Sequence, residues 1–108
     1  MIGEPVLLTV RKKFPRPEPA HIEALGGVPT GFIVDSQNGT GALGYRIKPL
    51  TNRMSFTGVA MTAQAEPRDM LPVQPAIALA SPGDVLVIST AGYDGAAIIG
   101  DNVAVMAK

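Results

Sequence analysis

The chain has 108 residues, of which nine are basic and nine acidic, so its formal net charge is zero, and 46% of its residues are hydrophobic. This length and composition fit one folded domain with a modest core, and the balanced charge leaves no broad positive surface for a nucleic acid backbone. The absence of cysteine excludes disulfide bonds, thiolate nucleophiles and cysteine-bound zinc or iron–sulfur clusters.

The sequence begins with MIGEPVLLTVRKK, in which the basic residues follow the short apolar run instead of preceding it. This order is not that of a secretory signal peptide. No apolar run approaches the roughly 20 residues that a membrane-spanning helix requires. We therefore expect a soluble, cytoplasmic protein that does not bind a membrane.

Residues 1–18 predict an extended N-terminal arm. They end in FPRPEP, where alternating prolines forbid a helix and favour an extended chain. We expect the fold proper to begin near Pro19, which gives an arm at 1–18 and one domain at 19–108. The arm carries a short basic cluster formed by Arg11, Lys12, Lys13 and Arg16. We interpret this cluster as solvated or in contact with another subunit, in preference to a nucleic-acid site.

Two short helices are predicted next. PAHIEALGG predicts a helix that starts at Pro19 and is closed by Gly26. His21, the sole histidine of the sequence, has no carboxylate, serine or second imidazole at a useful spacing, so we expect it on the helix surface. Thr30 is the predicted N-cap of a second helix, and turns are predicted at the following glycines, Gly39, Gly41 and Gly44.

The middle of the sequence predicts a strand, a helix and a second strand. FTGVAMTAQAE, residues 56–66, alternates as a strand with Val59, Met61 and Ala63 on one face. DMLPVQPAIALASPGD predicts a helix whose start is compromised by two prolines, of which only one is expected to fit a first turn. DVLVIST, residues 84–90, is a continuous β-branched run that predicts a strand buried on both faces. This order indicates an α/β architecture.

The C-terminal residues combine glycines with a helical pattern. The glycines at 92, 95 and 100 match neither a dinucleotide fingerprint nor a phosphate loop. They precede a helix for which Ile98, Ile99, Val103 and Met106 form one predicted buried face. Backbone N–H groups at the start of this helix, around Gly100–Val103, could hold a carboxylate or phosphate. Asp101 also has a simpler role there, since an acidic residue interacts favourably with the helix dipole.

No complete catalytic set is present in the sequence. It has one histidine, no cysteine and no clustered carboxylates for a metal, and its serines lack a histidine base in a recognisable order.

Three segments resemble, in order and spacing, the RraA-like family. They are GALGYRIKPLTNRMSFTGVAMTAQ, ALASPGDVLVIST and AIIGDNVAVMAK. The family includes 4-hydroxy-4-methyl-2-oxoglutarate (4-carboxy-4-hydroxy-2-oxoadipate) aldolases and regulators of ribonuclease E activity. The resemblance covers about residues 19–108, and its most specific parts are the Pro-Gly-Asp-Val-Leu-Val entry to a strand and the Gly-Asp-Asn after a glycine loop.

The resemblance implies a β/β/α swivelling-domain fold that assembles as trimers or hexamers with active sites between subunits. In the aldolases a divalent metal, magnesium or manganese, stabilises the enolate formed when 4-hydroxy-2-oxo acids are cleaved to pyruvate, and oxaloacetate decarboxylation passes through the same enolate. The implied substrate-binding residues are Gly100, Asp101, Asn102 and Val103. Asp101 is the implied catalytic residue, and it would reach the metal only through water.

The sequence departs from the family pattern in one important respect. The family has an Arg-Asp pair, in which the arginine contacts the pyruvyl oxygen and the aspartate binds the metal directly. This pair is expected about twenty residues beyond the glycine segment, after Lys108. We therefore expect an incomplete domain that corresponds to the N-terminal half of the family fold. The leading hypothesis is a metal-dependent lyase. The alternatives are a non-catalytic protein that binds and inhibits a ribonuclease, or an inactive fragment.

Overall fold

The computed structural model describes residues 8–65, 71–90, 92 and 101–108, and for 101–103 it describes the backbone alone. The described part contains four helices and two strands. In chain order they are α1 (Pro19–Leu25), α2 (Thr30–Ser36), β1 (Ala60–Gln64), α3 (Val73–Leu79), β2 (Val85–Ser89) and α4 (Asp101–Ala107). No helix among these residues is long and apolar enough to cross a membrane. The alternation of strands and helices confirms the α/β class.

The chain divides into two units. One combines the residues up to Arg16 with those from Val59 to Lys108, and the other comprises Pro17–Gly58. The first unit contains the sheet, α3 and α4, and the second contains α1 and α2. The N-terminal arm thus groups with the sheet, although the sequence between them forms a separate unit.

The two strands pair in parallel, with a register that runs from Ala60↔Val85 to Gln64↔Ser89. Parallel neighbours require a crossover connection, and here α3 provides it. The predicted first strand at 56–66 is too long, because the paired part covers only 60–64. Its predicted face is largely confirmed: Met61 and Ala63 are buried, and Val59 is half-buried just before the strand.

The core lies between the sheet and α3. Met61, Ala63 and Ala76 are its buried centre. The side chains packed around this centre come from the arm, α3 and β2, namely Phe14, Ala80, Leu86 and Ile88. Val73, at the start of α3, is also fully buried. The first unit therefore has a small core on a single face of a two-stranded sheet.

The second strand is not buried on both faces, contrary to the sequence-based expectation. Leu86 and Ile88 pair with Met61 and Ala63 and share their core-facing side. Val87 points to the opposite side and is 43% exposed. In the described part of the chain, α3 covers one face of the sheet, so the β-branched pattern alone overestimated the burial of the strand.

The start of α3 is compatible with both prolines, and only one of them lies in the first turn, as expected. Pro72 directly precedes the helix with φ −72° and ψ −14°, already in the helical region. Pro75 is the third residue of α3 and therefore still lies in its first turn. The first N–H groups of a helix have no partner within it, so a proline there removes no hydrogen bond.

The second unit matches most of its sequence-based predictions. The first helix starts at Pro19 and is closed by Gly26, and His21 is exposed on it as expected. The second helix begins at Thr30 itself, with Pro29 in the cap position, so the predicted threonine cap is wrong by one residue. Of the predicted turn glycines, Gly39 and Gly41 have positive φ values of 79° and 92°.

The described residues of the last helix, Asp101–Ala107, do not confirm its predicted buried face. Met106 is 61% exposed and Val105 is 72% exposed. Ile98 and Ile99, as well as the side chain of Val103, lie outside the described residues. No described element packs against the exposed part of α4 closely enough to cover Met106.

The described part of the arm, residues 8–18, contains no helix or strand, as its prolines predict. Arg11, Lys12 and Lys13 are exposed, as expected for a solvated cluster. Arg16 differs, because it forms an ion pair with Asp84 within the same unit. The basic cluster is therefore divided into three solvated cations and one cation bound to the domain.

Candidate functional site

The carboxyl ends of the two parallel strands lie side by side. The pairing continues past Gln64, since the N–H of Ala65 donates to the carbonyl of Ser89 at 2.7 Å. From this edge the chain leaves β1 towards α3 and leaves β2 towards α4. In open parallel sheets, ligands bind outside the carboxyl ends of the strands. This edge is therefore the candidate functional site.

The predicted substrate-binding residues fall at the start of α4. Asp101, Asn102 and Val103 are the first described residues of α4. The first N–H groups of a helix have no acceptor within it and carry the positive end of its dipole. Gly100 and the side chains of Asp101, Asn102 and Val103 lie outside the described residues, so the roles predicted for these four residues stay predictions.

The opposite end of α4 lies beside the start of β2. Met106, Ala107 and Lys108 line a cavity of about 320 Å³ together with the residues of the turn at Ser81–Asp84. A helix of seven residues is roughly 10 Å long. In sequence order α4 follows β2, and the start of a helix that follows a strand is a common anion-binding position.

A metal-binding cluster is not found among the residues that the structure describes. No group of three or more histidine, cysteine, aspartate or glutamate side chains is close enough there to hold an ion. Asp101 is the acidic residue predicted to act through metal-bound water, and its side chain is outside the described part. The described residues therefore do not form a donor set for a divalent cation.

An ion pair between Arg16 and Asp84 is the main polar feature that the sequence did not predict. The two guanidinium nitrogens Nη1 and Nη2 donate to the two carboxylate oxygens at 2.8 and 3.0 Å. Asp84 is largely enclosed, with 5% of its side chain exposed, and it also accepts the backbone N–H of Ser81 at 2.8 Å. Bidentate pairs of this kind are among the stronger hydrogen-bonded contacts in proteins.

These contacts set the ionisation of both groups. Hydrogen bonding by Arg16, followed by that of the Ser81 N–H, lowers the pKa of Asp84 below its ordinary value. The hydrogen bond to Asp84 raises the pKa of Arg16. The sequence offered two partial signals, an aspartate after a Pro-Gly turn and an arginine between two prolines. Their pairing across 68 residues could not be read from either position.

The residues from 30 to 108 match the family model RraA-like, described as Aldolase/RraA. A curated protein of Halalkalibacterium halodurans, named "Putative 4-hydroxy-4-methyl-2-oxoglutarate aldolase", is 43% identical to this chain over 81 residues. The aligned part covers 75% of this chain and 39% of that relative. No solved structure matches the chain significantly. The family model covers well over half of the residues and includes both strands and the last helix, so the chain belongs to the RraA-like family.

Proposed function

We propose that the protein that carries this chain is a lyase that cleaves 4-hydroxy-2-oxo acids to pyruvate and a second oxo acid. The observation that carries the proposal is the 43% identity with a relative named as a 4-hydroxy-4-methyl-2-oxoglutarate aldolase. Oxaloacetate decarboxylation is proposed as a second activity, because both reactions would form the enolate of pyruvate. Since the chain spans 39% of that relative, the activity is proposed for the complete product of the reading frame.

The proposed role of this chain is to bind the carboxylate of the substrate. The position of α4 supports this role, because it begins at Asp101 after the carboxyl end of β2. Backbone N–H groups of Gly100–Val103 would donate to the carboxylate, and the helix dipole would favour its negative charge. Asp101 would hold or move a proton beside the reacting carbons.

A divalent cation, magnesium or manganese, is the proposed cofactor. The described residues do not fit it by themselves, because they contain no cluster of three carboxylate or imidazole ligands. No step of the reaction is therefore derived from a metal held by these residues. The family resemblance assigns direct coordination to the aspartate of an Arg-Asp pair, gives the arginine of that pair a contact with the pyruvyl oxygen, and leaves Asp101 to act through water.

The assembly and the complete fold belong to the same proposal. A β/β/α swivelling domain would place the carboxyl edge of the sheet near a subunit boundary in a trimer or hexamer. The location is proposed to be the cytoplasm, where small oxo acids are metabolised. The parallel β1–α3–β2 unit is compatible with this fold and supplies part of its sheet.

Pyruvate release tests the proposed reaction. The complete product of the reading frame is incubated with 4-hydroxy-4-methyl-2-oxoglutarate and magnesium, and pyruvate is measured with lactate dehydrogenase. We expect turnover that EDTA abolishes and magnesium or manganese restores. Asp101→Ala and Asp101→Asn are expected to lower kcat by about a hundredfold or more, as for the loss of a general acid–base group.

Asp35→Ala is the matched control for the Asp101 variants. Asp35 is an exposed residue of α2, so its removal should leave kcat and KM unchanged. Full activity of Asp101→Ala would contradict the role given to that residue while leaving the lyase proposal intact. Absence of pyruvate release from a folded, metal-loaded protein would contradict the lyase proposal. That result would favour the regulatory alternative, in which the protein binds and inhibits a ribonuclease.

A further inference from the structure

The N-terminal arm is attached to the sheet unit by side chains. Phe14 packs against the buried centre formed by Met61, Ala63 and Ala76. Two residues further along, Arg16 binds Asp84 at the start of β2. Among the described residues, the backbone of 8–15 forms no hydrogen bond with another backbone group. The described part of the arm, residues 8–16, is thus held at two points and is not a third strand of the sheet.

The two attachment points contact each other. The guanidinium carbon of Arg16 lies 4.7 Å from the centre of the Phe14 ring. A cation at this distance over an aromatic face is attracted by the ring quadrupole. The planar guanidinium therefore stacks on the ring and at the same time donates through its edge to Asp84. Loss of one attachment should weaken the other.

The prolines on both sides of Arg16 restrict the backbone conformation at this contact. Pro15 has its φ angle fixed by its ring, and a residue that precedes a proline, as Arg16 precedes Pro17, is biased towards extended conformations. Restricting the backbone of Arg16 lowers the entropy that is lost when its side chain binds. Asp84 is restricted as well, because the Ser81 N–H already orients its carboxylate at 2.8 Å.

A groove lies beneath the arm. It has a volume of about 360 Å³ and is bounded by the arm on one side and by β1 and α3 on the other. Thr9, Val10 and Arg11 belong to the arm side, and Met61, Ala76 and Leu79 belong to the opposite side. Removal of the arm would open this groove and expose the buried side chains at its floor.

We propose that residues Thr9–Arg16 form a strap that opens and closes this groove, and that the Arg16–Asp84 ion pair is its latch. Residues Thr9–Arg16 would detach together, because side chains at the C-terminal end of the strap hold it and no backbone hydrogen bonds join it to β1. When the latch is closed, the arm of the same chain covers the apolar floor. When the latch opens, the strap and the Phe14 ring leave together.

Limited trypsin digestion of the 108-residue protein, read by mass spectrometry, measures the opening. Trypsin can cleave after Arg11, Lys12 and Lys13, whereas the bond after Arg16 is protected by the proline that follows it. Because cleavage needs a detached segment, its rate follows the population of the open strap. We expect Arg16→Gln and Asp84→Asn each to accelerate cleavage in this stretch at least several-fold.

Matched variants separate a latch from a general effect of charge or stability. Lys48→Gln and Asp35→Asn remove the same charges at exposed positions of the other unit, and they should leave the cleavage rate unchanged. The double variant Arg16→Gln/Asp84→Asn should be cleaved no faster than the faster single variant, because both changes break one contact. A multiplicative acceleration in the double variant would contradict the latch.

Hydrogen exchange of the sheet amides distinguishes release of the strap from global unfolding if a variant is destabilised. Protection of the Val85 N–H, which donates to the Val59 carbonyl at 2.8 Å, should fall by a clearly smaller factor than the one by which cleavage of the arm rises. If the protection of the Val85 N–H fell by the same factor as the cleavage of the arm rose, the cleavage would report global unfolding, and the proposal would be overturned. Unchanged cleavage in both single variants would overturn it as well.

Discussion

Replacement of Met61 by alanine is the most direct test of the small core. Met61 lies on β1, is 7% exposed and belongs to the buried centre that α3, β2 and Phe14 surround. The substitution removes the thioether and its flanking carbons while leaving the backbone pairing of β1 unaltered. It therefore measures how much the packing between the sheet and α3 contributes to the free energy of unfolding.

The expected loss follows from the size of the missing group. At about 0.8 kcal/mol for each buried methylene-sized group, transfer alone contributes roughly 2 kcal/mol. The cavity left by incomplete relaxation adds to this value, so the total should be about 2–4 kcal/mol. Met54→Ala is the matched control, because Met54 is 52% exposed. The same chemical change there should cost below about 1 kcal/mol, since most of that side chain is already in water.

Urea unfolding followed by circular dichroism provides the measurement. Both variants are compared with the unaltered protein at one concentration, and the free energies are extrapolated to zero urea. A clear midpoint shift for Met61→Ala with little change for Met54→Ala is the expected result. If the two substitutions had equal effects, the layer between α3 and the sheet would not be the core that stabilises the protein, and the reasoning would fail.

Two further predictions concern the turn that precedes β2. Asp84→Asn should lower the free energy of unfolding at neutral pH, because Arg16 and the Ser81 N–H lower the pKa of the native carboxylate and so favour the folded state once it is ionised. The stability difference between the unaltered protein and Asp84→Asn should be fully present above the ordinary aspartate pKa of about 3.9 and should shrink as pH falls through the lower native pKa. Unfolding curves recorded across pH would measure it. A difference that grows towards acid pH would contradict this assignment. Gly83→Ala should destabilise the protein by roughly 1–2 kcal/mol in thermal or urea unfolding, because φ is +89° there. Gly31→Ala, in α2 with open space around the new methyl group, should instead be neutral or stabilising by up to about 1 kcal/mol, and equal effects at the two glycines would refute the role of the positive φ.

The site and the strap occupy different parts of the sheet unit. The predicted carboxylate-binding residues begin at Gly100 and follow the carboxyl end of β2 in the sequence, whereas the latch holds the amino end of the same strand through Asp84. Measurements on pyruvate release and on arm cleavage therefore test separate proposals. Failure of the proposal on pyruvate release does not imply failure of the proposal on the strap.

The sequence by itself determined the local elements with strong backbone signals. Proline at the first turn and glycine at the end placed α1, and the Pro-Gly-Asp sequence placed the turn before β2, where the Asp84 N–H donates to the Ser81 carbonyl at 3.0 Å. Continuous and alternating apolar runs identified the two strands and hence the α/β class. Three family-like segments identified the RraA-like family, which the match over residues 30–108 confirms. These properties depend on residues that are close in sequence.

The tertiary structure decided the features that depend on distant partners. Val87 is exposed because no described helix covers its face of the sheet, although its β-branched neighbours predicted burial. Which proline lies in the first turn of α3 was decided by the position of the helix start, with Pro72 before the helix and Pro75 inside its first turn. Arg16 bonds to Asp84 because the fold brings together residues 68 positions apart. Sequence patterns report the local preference of the backbone, whereas burial and ion pairing depend on which residues from distant parts of the sequence pack against a given position.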